Sequence, residues 1–151
     1  CFVLAGSALG FLFFNFPPAR IFIGDVGSHF LGLMLGVIAI WGEPEGVPFW
    51  IVVFCLGTFL YDGIYTLLRR LFRGENITQA HRFHLYQRLN RLGWTYRSVL
   101  GLYGGFTGLL GIVGYLYLFG FHHIALGFRC VVFVLMVIGT AWIERRWRAQ
   151  K

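Results

Sequence analysis

Asp25 is the acidic side chain of this sequence that is best placed to take part in chemistry. It stands between Gly24 and Gly27, directly ahead of an apolar run. A carboxylate at a membrane edge is a suitable ligand for Mg²⁺, because this ion favours one or two carboxylates together with substrate phosphates. The same carboxylate also suits the first turn of a helix, where the helix dipole favours negative charge. The spacing leaves both interpretations open, and it makes Ser28 a candidate N-cap of the following helix.

A second group of reactive side chains lies in the stretch 79–93, QAHRFHLYQRLNRLG. A helix that is capped by Thr78 and ended by Gly93 places basic side chains on one face and leucines on another. The basic face then carries His81, His84, Arg88 and Arg91, and the apolar face carries Leu85, Leu89 and Leu92. Such a basic amphipathic helix indicates a phosphate site, with two-pronged contacts from Arg82, or a plain interfacial helix that is attracted to anionic lipid.

Asp62 is the third candidate. It lies seven residues before Arg69, which is about 10 Å along a helix, so its carboxylate falls inside the predicted membrane edge. An acid at that depth needs a partner. We expect a structural ion pair with Arg69 or Arg70, and a direct part in catalysis is the alternative.

The composition is that of a membrane protein, and it defines the elements that must position these residues. Hydrophobic residues make up 58% of the chain and charged residues 13%, with a mean hydropathy of +0.70. Soluble domains have about 25% charged residues. Five apolar runs predict an all-α fold, a polytopic transmembrane helix bundle of about five spans, at 1–14, 26–41, 49–68, 99–119 and 124–143. The first run is shorter than the roughly 20 residues that a crossing needs, so we expect it to be the truncated end of a longer helix.

The basic residues predict the orientation of the bundle. If the five runs cross alternately, every Lys and Arg except Arg129 lies on one side, and the opposite loop holds Glu43 and Glu45. Positive charge concentrates on the cytoplasmic side of membrane proteins. We therefore predict that the basic amphipathic loop helix and Asp25 face the cytoplasm, with cytoplasmic segments at about 15–28, 69–97 and 144–151.

The segment 18–28, PARIFIGDVGS, followed by Leu31-Gly32, resembles a motif of the polyprenyl-phosphate sugar-1-phosphate transferases, glycosyltransferase family 4. The segment 80–87, AHRFHLYQ, resembles the histidine-rich cytoplasmic loop of that family, in the form found in the branch that initiates O-antigen and similar polysaccharides. The family also carries two adjacent aspartates and an Asn/Asp-rich loop ahead of this region, whereas the present sequence contains no Asp-Asp. The resemblance therefore implies that residues 1–151 are the C-terminal part of one integral-membrane transferase domain.

The resemblance also implies a reaction and a set of site residues. The reaction is transfer of a sugar-1-phosphate, that of an N-acetylated amino sugar, from a UDP-sugar to undecaprenyl phosphate at a bacterial inner (plasma) membrane. UMP is released, and the product initiates a lipid-linked surface polysaccharide. The implied cofactor is Mg²⁺, with Mn²⁺ as the alternative, held by Asp25. The implied catalytic residues are Asp25, His81 and His84, and the implied substrate-binding residues are Arg82, Asn15, Arg20, Ser28 and Gln87.

Other functions compete with this hypothesis. The partners expected for a transferase are the lipid carrier, the UDP-linked amino sugar and membrane lipid, with no nucleic acid and with a homodimer as a further expectation. A non-catalytic bundle that binds anionic lipid through its basic loop, or an inactive fragment of the transferase, is the alternative. A transporter fragment ranks last, because it would need charged or broken helices at the membrane midplane and only Asp62 comes near that depth. The identity of the sugar is left open.

Overall fold

The computed structural model describes residues 1–76 and 84–149. In this part of the chain every regular element is an α-helix, which confirms the predicted all-α class. The helices are α1 (Phe2–Asn15), α2 (Gly24–Gly42), α3 (Phe49–Cys55), α4 (Gly57–Phe72), α5 (Leu85–Arg91), α6 (Tyr96–Leu118) and α7 (His122–Ala149).

Three of the described helices are long and apolar enough to cross a membrane. They are α2, α6 and α7, with 19, 23 and 28 residues. The pair α3 and α4 qualifies only together, as one broken span, so the described residues hold three or four candidate spans. The short helix α1 has 14 residues. The protein is thus a multi-pass helical membrane protein.

The predicted third span, 49–68, is not one continuous helix. It divides at Leu56, whose φ and ψ are −85° and −2° and whose carbonyl accepts from the N–H groups of both Phe59 and Leu60 at 3.0 Å. Gly57 follows directly, and a Cβ there would lie 2.9 Å from Leu110 Cδ1. A side chain in place of Gly57 would therefore displace Leu110 from α4.

The chain divides into two compact units, Cys1–Val53 and Phe54–Lys151. In the first unit, all of which the structure describes, Ala39 and Ile51 are the buried hydrophobic side chains. The other apolar side chains of this unit are exposed or half-buried. A helix that is apolar on all sides requires lipid or further protein around it, so this unit has the surface expected of membrane-embedded helices.

In the described part of the second unit, α4, α5, α6 and α7 pack around two small hydrophobic clusters. The first joins Leu85 and Leu89 of α5 to Val99 and Ile143, and the second joins Leu110, Val132 and Met136. The two leucines confirm the predicted apolar face of the loop helix. The described part of that helix begins after His84 and ends at Arg91, and the predicted cap Thr78 lies outside the described residues.

Candidate functional site

Asp25 lies in the first turn of α2, as one of the two interpretations of its spacing predicted. The helix begins at Gly24, whose φ of +63° is in the left-handed region that favours glycine. The predicted N-cap, Ser28, is wrong, because α2 begins four residues earlier and the cap position is Ile23. Ser28 instead donates its hydroxyl to the backbone carbonyl of Asp25 at 3.0 Å, and His29 Nδ1 contacts the same carbonyl oxygen at 2.6 Å.

The carboxylate of Asp25 is exposed. Within residues 1–76 and 84–149, no hydrogen bond or ion pair uses its side-chain oxygens. An exposed oxygen ligand near a helix start fits Mg²⁺, which keeps several waters and takes further ligands from substrate phosphates. No group of three His, Cys, Asp or Glu side chains that could hold a metal occurs in the described part of the chain. The exposed carboxylate of Asp25 therefore fits a magnesium ion that is shared with a substrate.

The loop ahead of Asp25 is held against the end of α1. Asn15 donates its side-chain N–H to the carbonyl of Ile21 at 2.8 Å, and the N–H of Arg20 donates to the carbonyl of Phe14 at 2.9 Å. Asn15, a predicted substrate-binding residue, thus has a structural contact that closes this loop. The side chain of Arg20 is exposed. The loop therefore fixes the backbone that leads into Asp25 and leaves the Arg20 guanidinium accessible.

Asp62 of α4 is buried, with 4% of its surface exposed, and it is the centre of a second polar cluster. Its Oδ1 accepts from the N–H of Leu85 at 2.8 Å, and its Oδ2 accepts from the hydroxyl of Tyr103 at 2.6 Å. Thr66 donates to Oδ1 at 3.2 Å, and His84 Nδ1 lies 3.4 Å from the same oxygen. With this number of donors the carboxylate is saturated, so Asp62 does not fit a metal ligand.

The predicted ion pair of Asp62 with Arg69 or Arg70 is wrong. Arg69 lies 3.1 Å from Glu144, and Arg70 lies 3.4 Å from Glu75. Asp62 faces α5 and α6 instead, since its two oxygens contact Leu85 and Tyr103. These contacts are 23 and 41 residues away in the sequence, which is why spacing along α4 alone did not reveal them.

His84 is the member of the predicted histidine–arginine cluster that the structure describes. His81 and Arg82 lie outside the described residues. The His84 side chain is 32% exposed, and its ring stacks on that of Tyr86 with centroids 5.9 Å apart. Gln87, a predicted substrate-binding residue, accepts the backbone N–H of His84 at 3.2 Å, so Gln87 helps to cap α5. The second unit therefore brings together His84, Gln87 and Asp62.

Arg88 does not lie on an outward basic face of α5, which corrects the prediction. Its side chain is 1% exposed and forms an ion pair with Glu144 of α7. Residues 85, 88 and 89 share one helix face at i, i+3 and i+4, so Arg88 is buried with Leu85 and Leu89. Glu144 also accepts from the hydroxyl of Tyr65 at 3.0 Å.

Glu144 was not among the residues predicted from the sequence, because it adjoins Arg145 and Arg146 and falls in the segment assigned to a cytoplasmic tail. Glu144 could have been identified as an acid at the end of an apolar helix, because the sequence also has a loop rich in arginine that needs acidic partners.

A cavity of about 290 Å³ lies among α4, α5, α6 and α7. Its walls are mainly aliphatic and aromatic side chains, including Leu85 and Leu89. The hydroxyl groups in the lining belong to Thr58, Tyr61, Tyr103 and Thr140. The second unit therefore has an apolar space beside the start of α5, close to the Asp62 cluster.

These features define a class of protein: a multi-pass helical membrane protein with an exposed carboxylate at one helix start and an anchored histidine at another. Residues 1–43 match the family model described as Glycosyl transferase family 4. This match confirms the family resemblance of residues 18–28.

Three relatives illustrate the family. A probable undecaprenyl-phosphate N-acetylglucosaminyl 1-phosphate transferase of Bacillus subtilis (strain 168) is 36% identical over 105 residues, which cover 67% of this chain and 29% of the relative. A decaprenyl-phosphate N-acetylglucosaminephosphotransferase of Mycobacterium leprae is 33% identical, over 72% of this chain and 31% of the relative. A phospho-N-acetylmuramoyl-pentapeptide-transferase of Aquifex aeolicus is 34% identical, over 61% of this chain and 26% of the relative. The chain thus spans less than a third of each relative. No solved structure matches the chain.

Proposed function

We propose that the protein of which residues 1–151 form a part transfers a sugar-1-phosphate from a UDP-linked amino sugar to undecaprenyl phosphate. The observation that carries this proposal is Asp25, an exposed carboxylate at the start of α2 within the segment that matches the family model. The names of the relatives support a polyprenyl phosphate as acceptor and an N-acetylated amino sugar as one donor class.

The reaction breaks and forms one bond at phosphorus. An oxygen of the carrier phosphate attacks the β-phosphorus of the UDP-sugar. The bond from that phosphorus to the bridging oxygen breaks, and the oxygen leaves with UMP. The products are UMP and a lipid-linked diphosphate sugar. The protein must therefore bind and offset the negative charge on the diphosphate, which is the main requirement for catalysis of phosphoryl transfer.

Several residues of this chain would take part in that work. Asp25 would hold Mg²⁺, with Mn²⁺ as the alternative, and the ion would supply positive charge to the diphosphate. His84, together with His81 and Arg82, would bind phosphate oxygens from the loop before α5. The exposed side chain of Arg20 would add a further cation beside Asp25. Ser28 would help to position Asp25 through its hydrogen bond to the Asp25 carbonyl.

The cellular setting is part of the proposal. The positive charge at the ends of α4, α5 and α7 supports a cytoplasmic active face in a bacterial inner membrane. The segment 80–87 supports a role at the start of surface-polysaccharide synthesis, such as that of O-antigen.

The test uses Asp25→Asn in the complete coding sequence that contains this chain, with Glu45→Gln as the matched control. Both changes replace an exposed carboxylate by an amide. Membranes receive undecaprenyl phosphate, Mg²⁺ and radiolabelled UDP-N-acetylglucosamine, and label in the lipid fraction is measured. Asp25→Asn is expected to lower transfer on the order of a hundredfold or more, because the metal ligand is lost, whereas Glu45→Gln retains full transfer. Full transfer by Asp25→Asn would exclude the assigned role.

A further inference from the structure

We propose that Asp62 is a positioning residue, whose carboxylate orients the ring of His84 and fixes the start of α5. The contribution of Asp62 to catalysis rests on the proposed function, in which His84 binds a phosphate of the substrate. The orientation of the ring is a property of the fold and can be tested without the reaction.

A single oxygen atom makes both contacts. Asp62 Oδ1 lies 2.8 Å from the backbone nitrogen of Leu85 and 3.4 Å from Nδ1 of His84. The N–H of Leu85 belongs to the first turn of α5, where no carbonyl of the helix accepts it. The ring of His84 and the first turn of α5 are therefore held from one point on α4.

The carboxylate itself is held from three sides. Tyr103 of α6 donates its hydroxyl to Oδ2 at 2.6 Å, and the N–H of Tyr86 lies 3.4 Å from the same oxygen. Thr66, one turn along α4, donates to Oδ1. Because each of these bonds fixes a different direction, the carboxylate cannot turn away from His84 without losing several of them.

The chemistry of the pair assigns the proton on the ring. An ionised carboxylate only accepts hydrogen bonds, so the ring nitrogen beside it is the one that carries the proton. In the neutral ring Nε2 is then the acceptor, and in the charged ring it is a donor. Asp62 therefore determines which nitrogen of His84 can exchange a proton with a substrate phosphate.

A purely structural role for Asp62 is the rival explanation. In that case the carboxylate only joins α4 to α5, and the proton on His84 is irrelevant. Two substitutions separate the two roles. Asp62→Asn retains an acceptor oxygen, and because one oxygen faces both the N–H of Leu85 and Nδ1 of His84, it preserves both contacts. Asp62→Leu has a similar size and removes the acceptor that faces Nδ1.

The kinetic experiment compares Asp62→Leu and Asp62→Asn with the control Tyr61→Phe. The control removes a neighbouring hydrogen bond between helices, that between the Tyr61 hydroxyl and Thr140 Oγ1 at 3.0 Å, and leaves Asp62 intact. Asp62→Leu is expected to lower kcat by roughly tenfold to a hundredfold, with little change in KM, because the proton is then on the wrong ring nitrogen. Asp62→Asn and Tyr61→Phe are expected to retain most of kcat.

A double substitution tests whether the effect passes through His84. In a His84→Ala background, Asp62→Leu is expected to lower kcat no further. An equal loss of kcat in both backgrounds would overturn the proposal, because Asp62 would then act without the ring.

The second readout is the ¹⁵N NMR spectrum of protein labelled at histidine, with His84 assigned through His84→Gln. The wild-type protein and Asp62→Asn are expected to carry the proton on Nδ1, and Asp62→Leu is expected to move it to Nε2. An unchanged tautomer in Asp62→Leu would overturn the positioning role. A shifted tautomer in a protein that shows no transfer would refute the proposed function and leave the positioning of the ring intact.

Discussion

The two aspartates of this chain differ in what surrounds their carboxylates, and the difference assigns their roles. Asp25 is exposed, and in the described residues its side-chain oxygens have no protein partner. Asp62 is buried and accepts from a hydroxyl of α6 and a backbone N–H of α5. A carboxylate that is open to ligands suits a metal ion, whereas one that is saturated by protein donors suits the positioning of other groups.

Gly24 permits the turn that places Asp25 at the start of α2, and its substitution is expected to destabilise that turn. Gly24→Ala forces alanine into a left-handed φ of +63°, at a cost of about 1–2 kcal/mol. The control Gly36→Ala makes the same change inside α2, where a Cβ meets nothing within 4 Å. We expect Gly24→Ala to lower the apparent melting temperature in detergent and Gly36→Ala to leave it unchanged or raise it. A melting temperature lowered equally by both substitutions would contradict the strained turn.

The sequence predicted the place of Asp25 because a helix start depends on local residues. The glycines at positions 24 and 27 and the apolar run behind them are all within one or two turns. It did not predict the partners of Asp62, because Leu85 and Tyr103 come from distant helices. The cap assigned to Ser28 failed for a local reason, since the left-handed Gly24 starts the helix earlier.

The stability of the short helix α5 depends on polar contacts with neighbouring helices. It has 7 residues, and a helix this short is not stable alone in water. Asp62 holds its first turn, and Glu144 of α7 pairs with Arg88 in its middle. The position of His84, directly before α5, therefore depends on contacts from α4 and α7.

Removal of Glu144 tests this arrangement. Glu144→Ala leaves the guanidinium of Arg88, which is 1% exposed, buried without its acid. Loss of one member of a buried pair costs about 3–5 kcal/mol. The control Arg148→Ala removes a contact at 4.0 Å from a side chain that is 74% exposed, and exposed pairs are worth about 1 kcal/mol or less. We expect a large fall in melting temperature for Glu144→Ala and a small one for Arg148→Ala. Equal falls would show that the buried pair does not support α5.

Hydrophobic patterns predicted the long helices, but they did not predict the break between α3 and α4. The positions and polarity of α2, α6 and α7 follow the apolar runs closely, because length and hydropathy determine a membrane span. The break at Leu56 gave no such signal, since the residues around it are as apolar as the rest of the run. Directly after the break, Gly57 approaches Leu110 closely, a contact that a single sequence does not reveal.

For the whole molecule, membrane orientation is the property on which the other assignments depend. If α3 and α4 form one broken span, the ends of α4, α6 and α7 alternate between the two sides. The arginines at the end of α4 and of α7 then share one side. The positive-inside tendency makes that side cytoplasmic.

Cysteine labelling tests the orientation. The three native cysteines, which form no disulfide in the described residues, are replaced by serine, and Glu45→Cys and Arg73→Cys are made singly. Both positions are exposed. A membrane-impermeant maleimide added to intact spheroplasts is expected to label Glu45→Cys, and to label Arg73→Cys only after permeabilisation. The reverse pattern would place the proposed active face outside the cytoplasm.

If the transferred group is a sugar-1-phosphate, the donor's β-phosphorus must move with the sugar to the lipid. The complete protein in membranes receives undecaprenyl phosphate and UDP-N-acetylglucosamine that carries ³²P at the β-phosphate. We expect the label to enter the lipid fraction and the released nucleotide to be unlabelled UMP. Labelled UDP together with a lipid that carries the sugar but no label would mean that the sugar alone is transferred, and it would refute the proposed function.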